Sequence, residues 1–397
     1  MSFKVLIGDK NPYKNKILYT PYDNLLIEFC NVFSKKLIKS KNLSPEIYAF
    51  GFWLRRGNIE LILSELPSSI KAPIGNVFHV APRNVDTMFL YSLFISFLNG
   101  NNNVIRISKD TSENSLIQII IKILKSLLSD QNFTDLKKII HIVSYDRDDK
   151  VNEYFSLNSD ARIIWGGDNT INYFKSIPTK ARVKDFYFAD RISIGIYDVD
   201  SILKLNEKQN LIFVKNFLND VISFDQLGCS SPSTIYFLGD NELNLSKVIK
   251  KILNTIEELD IYKDYDYASF AGFKLNQIFD DTISGVISDH SFKTTLIHFV
   301  RLKTNDGLVS LKKTCGAGYL YYDLTTVNDI SHLFKDKKIQ TVSYFGISPK
   351  VKSTIVNLTL TNPGVDRIVP CGKSLDFSHK WDGYNLLENL SREIVLI

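Results

Sequence analysis

The sequence predicts an α/β fold with largely parallel sheets and two domains. Apolar stretches alternate between strand and helix: a strand ends at Val80, a helix covers Met88–Leu98, and another strand covers Val104–Ile107. A strand, a helix and a strand in this order form a βαβ unit, which requires a parallel sheet. With 397 residues, the chain is long for one hydrophobic core, so two domains are expected.

The same alternation continues along the chain. An amphipathic helix begins near Tyr22, where apolar residues recur at helical spacing. The further predicted helices are 116–128, 209–222, 243–259 and 329–334. The further predicted strands are 139–143, 162–165, 192–197, 233–238, 295–302, 318–322 and 339–344. Residues 262–267 are expected to form an exposed loop, and the dense Gly, Pro and aromatic residues after 362 predict an ordered one.

Composition excludes several classes of protein. The 44% hydrophobic and 23% charged residues are typical of a globular protein, and a net charge of +5 does not indicate nucleic-acid binding. No apolar run reaches the roughly 18 residues of a membrane span. The four cysteines (Cys30, Cys229, Cys315 and Cys371) and the six histidines lack metal-ligand spacing. We therefore predict no metal site, no disulfide framework and a cytoplasmic location.

A basic cluster marks the end of the first helix. Lys35, Lys36, Lys39 and Lys41 lie near its C-terminus, where the helix dipole favours cations. A solvated helix end is the simpler interpretation, and a binding site for an acidic ligand is the alternative.

Cys229 is the candidate nucleophile. It lies between a helix and a strand, in the stretch Phe224–Pro232, and small residues flank it. Small neighbours leave room for a substrate, and backbone N–H groups that converge at a turn lower a thiol pKa. The alternatives are that Cys229 is a buried structural thiol, or that Cys315, also beside glycines, is the nucleophile.

A Gly-Gly pair indicates a second site. Gly166 and Gly167 follow a strand, and Asp168 is a suitable N-cap for the next helix. Glycines ahead of a helix N-terminus let the backbone approach a phosphate, although simple turn chemistry also explains them. The dinucleotide fingerprint GxGxxG is absent.

Several blocks resemble a known family. The segments Pro73–Asn84 and Arg106–Lys109 are similar to the aldehyde dehydrogenase superfamily. Asp225–Pro232, Asp366–Pro370 and Trp381–Tyr384 resemble the fatty acyl-CoA reductases of bacterial bioluminescence more closely. The resemblance implies an NADP-binding α/β domain at 1–220, a catalytic domain at 221–355, and a C-terminal segment, 356–397, that packs back on both.

The resemblance also implies a reaction and its residues. It implies NADPH-dependent reduction of a long-chain fatty acyl-CoA to the aldehyde, with Cys229 as acyl acceptor. Asn84 matches the side-chain donor to the oxyanion, and Gly166 and Gly167 match the step beneath the cofactor pyrophosphate. A role in luminescence belongs to only part of the family.

Two departures from the superfamily pattern are informative. A glutamate that normally binds the adenosine ribose is replaced in the block that contains Arg106, Ser108 and Lys109, which favours the 2′-phosphate of NADPH. A Lys109 side chain that only points to solvent is the alternative. The general-base glutamate is also absent from Phe186–Arg191, where Asp190 is a substitute base or an ion-pair partner of a nearby arginine.

Other functions and partners remain open at this point. The substrate could be a short or specialised acyl thioester, or an acyl group delivered by an acyl-transferring partner protein. A non-redox acyl-binding or transfer subunit, or a thioester hydrolase, is a further alternative. We expect a homo-oligomer, whose size the sequence does not define.

Overall fold

The computed structural model describes residues 2–14, 18–41, 43–82, 88–259, 267–294, 296–303 and 313–396. They form two compact units, of which unit 1 contains residues 1–190 and 377–397 and unit 2 contains residues 191–376. Each unit has its own largely parallel sheet covered by helices, so the predicted α/β class is confirmed. No helix in these ranges combines the length and hydropathy needed to cross a bilayer.

Unit 1 is built around a six-stranded sheet. The strands before residue 190 are β1 Lys4–Ile7, β2 Ile70–Pro73, β3 Asn76–Val80, β4 Asn102–Ile107, β5 Ile140–Ser144, β6 Ala161–Trp165 and β7 Lys184–Phe188. The helices are α1 Asn24–Lys39, α2 Pro45–Trp53, α3 Arg56–Ser64, α4 Met88–Phe97, α5 Lys109–Glu113, α6 Ser115–Leu128, α7 Asp149–Leu157 and α8 Asp168–Ser176. The sheet has the order β1-β5-β4-β3-β6-β7, and only β1 is antiparallel to its neighbour.

This strand order defines a crevice. After β3 the chain adds β4 and β5 on one side, and then returns to add β6 and β7 on the other side. The carboxyl ends of β3 and β6 therefore border the point where the winding reverses. Open parallel sheets bind ligands at such a point.

Alternate strand residues supply the two cores of unit 1. Val77 belongs to the core under α1, α4 and α6, whereas Phe78 belongs to the core under α7 and α8. The first core is rich in aromatic rings; Phe33 stacks on Phe94 with ring centroids 5.0 Å apart. Because α4 is buried on almost every side, it lacks a polar face, which explains its uniformly apolar sequence.

Unit 2 is built around a seven-stranded sheet. Its strands are β8 Ile192–Asp198, β9 Pro232–Leu238, β10 Ile287–Lys293, β11 His298–Leu302, β12 Tyr319–Thr325, β13 Ile339–Phe345 and β14 Arg367–Pro370. Its helices are α9 Val199–Leu203, α10 Glu207–Ile222, α11 Glu242–Glu258, α12 Tyr267–Ile283 and α13 Pro349–Thr361. The order is β10-β11-β12-β9-β8-β13-β14, and β10 alone is antiparallel to its neighbour.

The end of the chain completes unit 1. Its elements are β15 Lys380–Trp381, β16 Tyr384–Asn385, α14 Leu386–Asn389 and β17 Ser391–Ile394. Strand β17 pairs antiparallel with β2, and Trp381, Leu386 and Leu390 are buried in the unit 1 core.

The division of the chain differs from the expected boundaries at 220 and 355. Residues 191–220 form β8, α9 and most of α10, and β8 pairs with β9 and β13 inside the unit 2 sheet. The C-terminal segment expected at 356–397 is likewise divided, because β14 extends the unit 2 sheet while residues after 376 belong to unit 1. Strand pairing, which joins residues distant in sequence, sets these boundaries.

Several elements were not predicted, among them α7, β7, α12 and α13. In α13 only Ile355 is buried, whereas Val356 and Leu360 are exposed, so its sequence lacks a clear apolar stripe. The loop expected at 262–267 lies, except for its last residue, outside the described residues.

Candidate active site

Cys229 lies in unit 2 on a turn between α10 and β9, as predicted. A short 3-10 helix, Ser223–Gln226, follows α10 and contains three residues in the left-handed region. Their φ angles are 55° for Phe224, 52° for Asp225 and 60° for Gln226. Left-handed backbone is costly for residues other than glycine, so three in succession require support from the surroundings.

The side chain of Gln226 provides part of that support. Its amide nitrogen donates to the carbonyls of Pro232, at 2.9 Å, and Tyr319, at 3.1 Å. Its amide oxygen accepts from the Gly318 N–H at 2.9 Å. Because these three backbone groups are buried, replacing Gln226 would leave them without partners. Gln226 therefore fixes the turn to two strands.

A second left-handed turn packs against the first. Gly316, Ala317 and Gly318 have φ angles of 83°, 53° and 81°, and the Ala317 N–H donates to the Asp225 carbonyl at 2.7 Å. A Cβ at Gly316 would lie 2.6 Å from the Asp225 carbonyl oxygen. Glycine is required there both by the backbone conformation and by this close approach.

Hydrogen bonds also hold the residues next to the thiol. The Ser193 hydroxyl donates to the Cys229 carbonyl at 2.7 Å, and the Thr341 N–H donates to the Ser193 oxygen at 3.2 Å. Ser230 donates to the Gln340 side chain at 2.9 Å. Strands β8 and β13 therefore hold Cys229 and the residue that follows it.

The part of the C-terminal block that lies in unit 2, residues 366–376, belongs to the same hydrogen-bonded framework. Arg367 donates to the Ser230 oxygen at 3.4 Å and to the Ser374 carbonyl at 3.0 Å. Asp220, fully buried on α10, accepts from the N–H groups of Gly372, at 2.7 Å, and Ser374, at 2.9 Å. Burial raises the pKa of Asp220 to about 6, although these two hydrogen bonds oppose the shift.

The Cys229 turn borders a pocket of about 40 Å³. The residues that line it are Arg191, Ile192, Ser193, Gln226, Leu227, Gly228, Cys229, Ser231, Ser233, Lys313 and Thr314. Cations and hydroxyl groups are present in this lining, whereas aspartate and glutamate are absent from the part of it that the structure describes. Arg191 pairs with Asp366 and also donates to the Gly364 carbonyl at 2.6 Å.

Cys30 and Cys371 are buried, whereas Cys229 and Cys315 are both partly exposed. Desolvation nevertheless raises the pKa of the Cys315 thiol to about 11, an effect that nearby Lys274 only partly offsets. Burial also raises the pKa of Cys30 and of Cys371. These three thiols are therefore protonated at neutral pH, which makes them poor nucleophiles.

The Gly-Gly pair lies in unit 1 at the crevice between β3 and β6. Gly166 follows β6, and Gly167 is the N-cap of α8; Asp168, predicted as the cap, is the first residue of the helix. Asp168 still lies in the first turn, where the helix dipole favours a carboxylate. At Gly167, a Cβ would find no atom within 4 Å, so the backbone there is open to a ligand. These glycines fit a phosphate group at the helix N-terminus.

Three further predicted cofactor residues lie at the end of β4, the strand adjacent to β3. Arg106 is part of β4, and Ser108 and Lys109 follow it. Ser108 caps α5 and accepts from the Thr111 N–H at 3.2 Å, and the exposed Lys109 begins that helix. Arg106 donates to the Tyr145 carbonyl at 3.2 Å and lies over the Tyr145 ring. Lys109 is therefore the cation with the greater freedom to reach a ligand. Asn84 lies outside the described residues.

A buried network under the crevice was not predicted. His79 bonds Ser92 at 2.8 Å and Asn103 at 3.2 Å, while the Trp165 indole donates to Ser92 at 3.3 Å. Burial lowers the pKa of His79 to about 3, so the ring is neutral. Trp165 also stacks on Phe188, with ring centroids 3.9 Å apart. Trp165, the residue before Gly166, is thus held by Ser92 and by Phe188. The sequence does not reveal this network, because a single histidine in a strand does not indicate its partners.

A comparison with models of protein families shows which family the chain belongs to. A model of the acyl-CoA reductase (LuxC) family matches residues 64–393. The chain belongs to this family. The match includes Cys229, the Gly-Gly pair and the C-terminal block, so the expected family is confirmed. No curated protein sequence matches the chain.

Solved structures confirm the aldehyde dehydrogenase fold. Escherichia coli lactaldehyde dehydrogenase is 11% identical with a TM-score of 0.61, covering 94% of this chain and 83% of that chain. An NAD-dependent aldehyde dehydrogenase from Sinorhizobium meliloti is 10% identical with a TM-score of 0.65, covering 97% and 83%. Glyceraldehyde-3-phosphate dehydrogenase from Methanocaldococcus jannaschii, complexed with NADP, is 13% identical with a TM-score of 0.63, covering 97% and 91%. Family and fold together support acyl-group and aldehyde chemistry.

Proposed function

We propose that this acyl-CoA reductase converts a long-chain fatty acyl-CoA to the aldehyde and free CoA with NADPH, through a thioester on Cys229. The observation that carries the proposal is the pocket beside Cys229. A partly exposed thiol lies on a turn fixed from several sides, and no described residue of its pocket lining is an aspartate or glutamate. A thioester formed there has no general base beside it in this lining to activate water.

The first step is an acyl transfer to the chain. The Cys229 thiolate attacks the acyl carbonyl, a new carbon–sulfur bond forms, and CoA departs as a thiolate of similar basicity. Asn84 remains the predicted side-chain donor to the oxyanion, a contribution of about 3 kcal/mol. Lys313 of the lining supplies a positive charge that favours the anionic sulfur, whereas the charge of Arg191 is compensated by Asp366.

The second step is reduction at the same sulfur. When bound, NADPH supplies the hydride that reduces the thioester to a thiohemiacetal. Collapse of the thiohemiacetal breaks the carbon–sulfur bond, releases the aldehyde and regenerates the Cys229 thiolate. Gly166 and Gly167 would hold the cofactor pyrophosphate at the α8 N-terminus, and Lys109 would contact its 2′-phosphate.

The test is intact-mass spectrometry with acyl-CoAs of graded length, followed by NADPH. We expect the protein mass to rise by one acyl group, and NADPH to remove that group as aldehyde. Cys229→Ala should abolish both events, whereas the matched control Cys315→Ala should retain both. Acylation that persists in Cys229→Ala would reject the acyl site. Release of free acid without NADPH would instead identify a hydrolase.

The same experiment separates the alternative substrates. Preferential labelling by short acyl-CoAs would replace the long-chain assignment by one for short acyl groups. If no acyl-CoA labels the wild-type protein, an acyl-charged partner protein is the remaining donor, and the CoA part of the proposal fails.

A further inference from the structure

A basic pocket of about 320 Å³ lies in unit 1, formed by α1 and the junction between α2 and α3. The residues that line it are Asn31, Lys35, Ile38, Lys39, Arg55, Arg56 and Gly57. All seven precede residue 64, where the match to the reductase family begins. The pocket is therefore not accounted for by the family's common features.

Four cationic side chains meet in this lining, and none of the lining residues is acidic. Lys35 and Lys39 are four residues apart on α1, a spacing at which like charges repel. Arg56 is compensated by Glu28, at 2.8 Å, and Glu60, at 3.4 Å, which lie outside the lining. The helix dipole explains cations at the end of α1, but it does not explain the two arginines contributed by another part of the chain.

The local backbone also favours an anion. Arg55 is the N-cap of the nine-residue α3 and makes no capping hydrogen bond with its side chain. A Cβ at Gly57, in the first turn, would find no atom within 4 Å. The Arg56 N–H donates to the Asn31 side chain at 3.5 Å, and the Asn58 N–H donates to the Arg55 carbonyl at 3.0 Å. The α3 N-terminus therefore favours an anion chiefly through its helix dipole, beside the open position of Gly57.

The Arg55 side chain has a defined position at the rim. Its guanidinium lies over the Phe52 ring, 3.9 Å from the ring centroid. This contact orders the planar donor group without using its hydrogen bonds. Ile38 contributes an apolar wall beside the charges. An ordered Arg55 guanidinium beside an apolar surface matches a phosphate joined to an organic group, whereas the Arg56 guanidinium already donates to Glu28 and Glu60.

We propose that this pocket binds a small molecule that carries a diphosphate. Its volume is at the lower end of the about 300–1,000 Å³ of ligand pockets, which suits a compact group. A diphosphate brings charge to several cations at once and can accept from the α3 N-terminus. Nucleoside diphosphates and coenzyme A both contain a diphosphate. The experiment below distinguishes these two ligands.

The test compares two double variants by isothermal titration with inorganic pyrophosphate at low salt. K39Q/R55Q removes two charges from the pocket lining. The matched control K36Q/K41Q removes two charges from the same helix end outside the lining. We expect K39Q/R55Q to weaken pyrophosphate binding at least about tenfold and the control to change it less than about twofold. Displacement of pyrophosphate by ADP or by coenzyme A then identifies the source.

Three results would overturn the proposal. Equal weakening in both double variants would indicate diffuse electrostatic attraction without a site. If pyrophosphate did not bind the wild-type protein at low salt, the pocket would not be a diphosphate site. Binding only to vesicles of anionic phospholipid would make the cluster a membrane-contact surface. Acylation of Cys229 is unaffected in each case, so these failures are distinguishable from failure of the proposed reaction.

Discussion

Cys229 and Cys315 show how surroundings differentiate identical side chains. Both cysteines lie next to glycine or serine, and local sequence alone left each as a candidate nucleophile. Burial raises the pKa of Cys315 to about 11, which leaves roughly one molecule in ten thousand as thiolate at pH 7. The pocket at Cys229 has Lys313 and the Asp366-paired Arg191 in its lining, and no described residue of the lining is a carboxylate. The contrast favours Cys229.

One prediction at the residue scale concerns the choice between NADPH and NADH. Lys109→Glu should lower kcat/KM for NADPH about tenfold or more, because a carboxylate would repel the 2′-phosphate that Lys109 is proposed to attract. The value for NADH should change little. Steady-state kinetics with both cofactors measures this, with Lys122→Glu on the exposed face of α6 as the matched control. A wild-type preference for NADH that persists in Lys109→Glu would show that Lys109 only faces solvent.

The raised pKa of Asp220 predicts that the stability of the protein depends on pH. Its folded pKa of about 6 lies above the unfolded value of about 3.9, so between these values the folded state binds more protons. The free energy of unfolding should therefore fall as pH rises from about 4 to about 6, by at most about 3 kcal/mol from this group. In Asp220→Asn that contribution should be absent, as urea unfolding at several pH values would measure.

The control for this measurement is Asp240→Asn, which alters an exposed aspartate of the same unit. It should leave the wild-type pH profile unchanged. If Asp220→Asn follows the wild-type profile as well, Asp220 does not titrate in this window.

At the scale of secondary-structure elements, a substitution at the α8 N-terminus should affect cofactor binding without affecting folding. Gly167 has φ −66°, which any residue can adopt, and space around its missing Cβ is open. Gly167→Ala should therefore change the free energy of unfolding by less than about 1 kcal/mol. It should weaken NADPH binding about tenfold or more, because the new methyl group would occupy the space proposed for the pyrophosphate.

Fluorescence titration with NADPH measures this effect, with urea unfolding of the same variant as the stability check. Gly272→Ala on α12 is a matched control, because its Cβ position is also open and it lies outside both proposed binding sites. Unchanged NADPH binding in Gly167→Ala would remove the glycine pair from the cofactor site.

At the scale of the whole molecule, the two units differ in how they are assembled from the chain. Unit 2 is one continuous segment, 191–376, that contains its entire sheet. Unit 1 requires residues 377–397, whose Trp381, Leu386 and Leu390 are buried in its core. We expect the fragment 191–376 to unfold cooperatively in urea on its own.

The fragment 1–190 should not show cooperative unfolding unless residues 377–397 are fused to it through a flexible linker. Circular dichroism during urea titration tests each fragment, and a linker fused to a scrambled 377–397 sequence is the control. Cooperative unfolding of 1–190 alone would show that the returning segment is dispensable.

The amino-acid sequence by itself determined the α/β class, the order of most helices and strands, the reductase family, and the turn that carries Cys229. These properties depend on local periodicity and on residues close together in the chain. Only the tertiary structure decided the domain boundaries, the Gln226 and Asp220 anchors, the lining of the pocket at Cys229 and the basic pocket of α1 and α3. Each of these is formed by groups far apart in sequence, and their burial and hydrogen bonds exist only after the strands have paired.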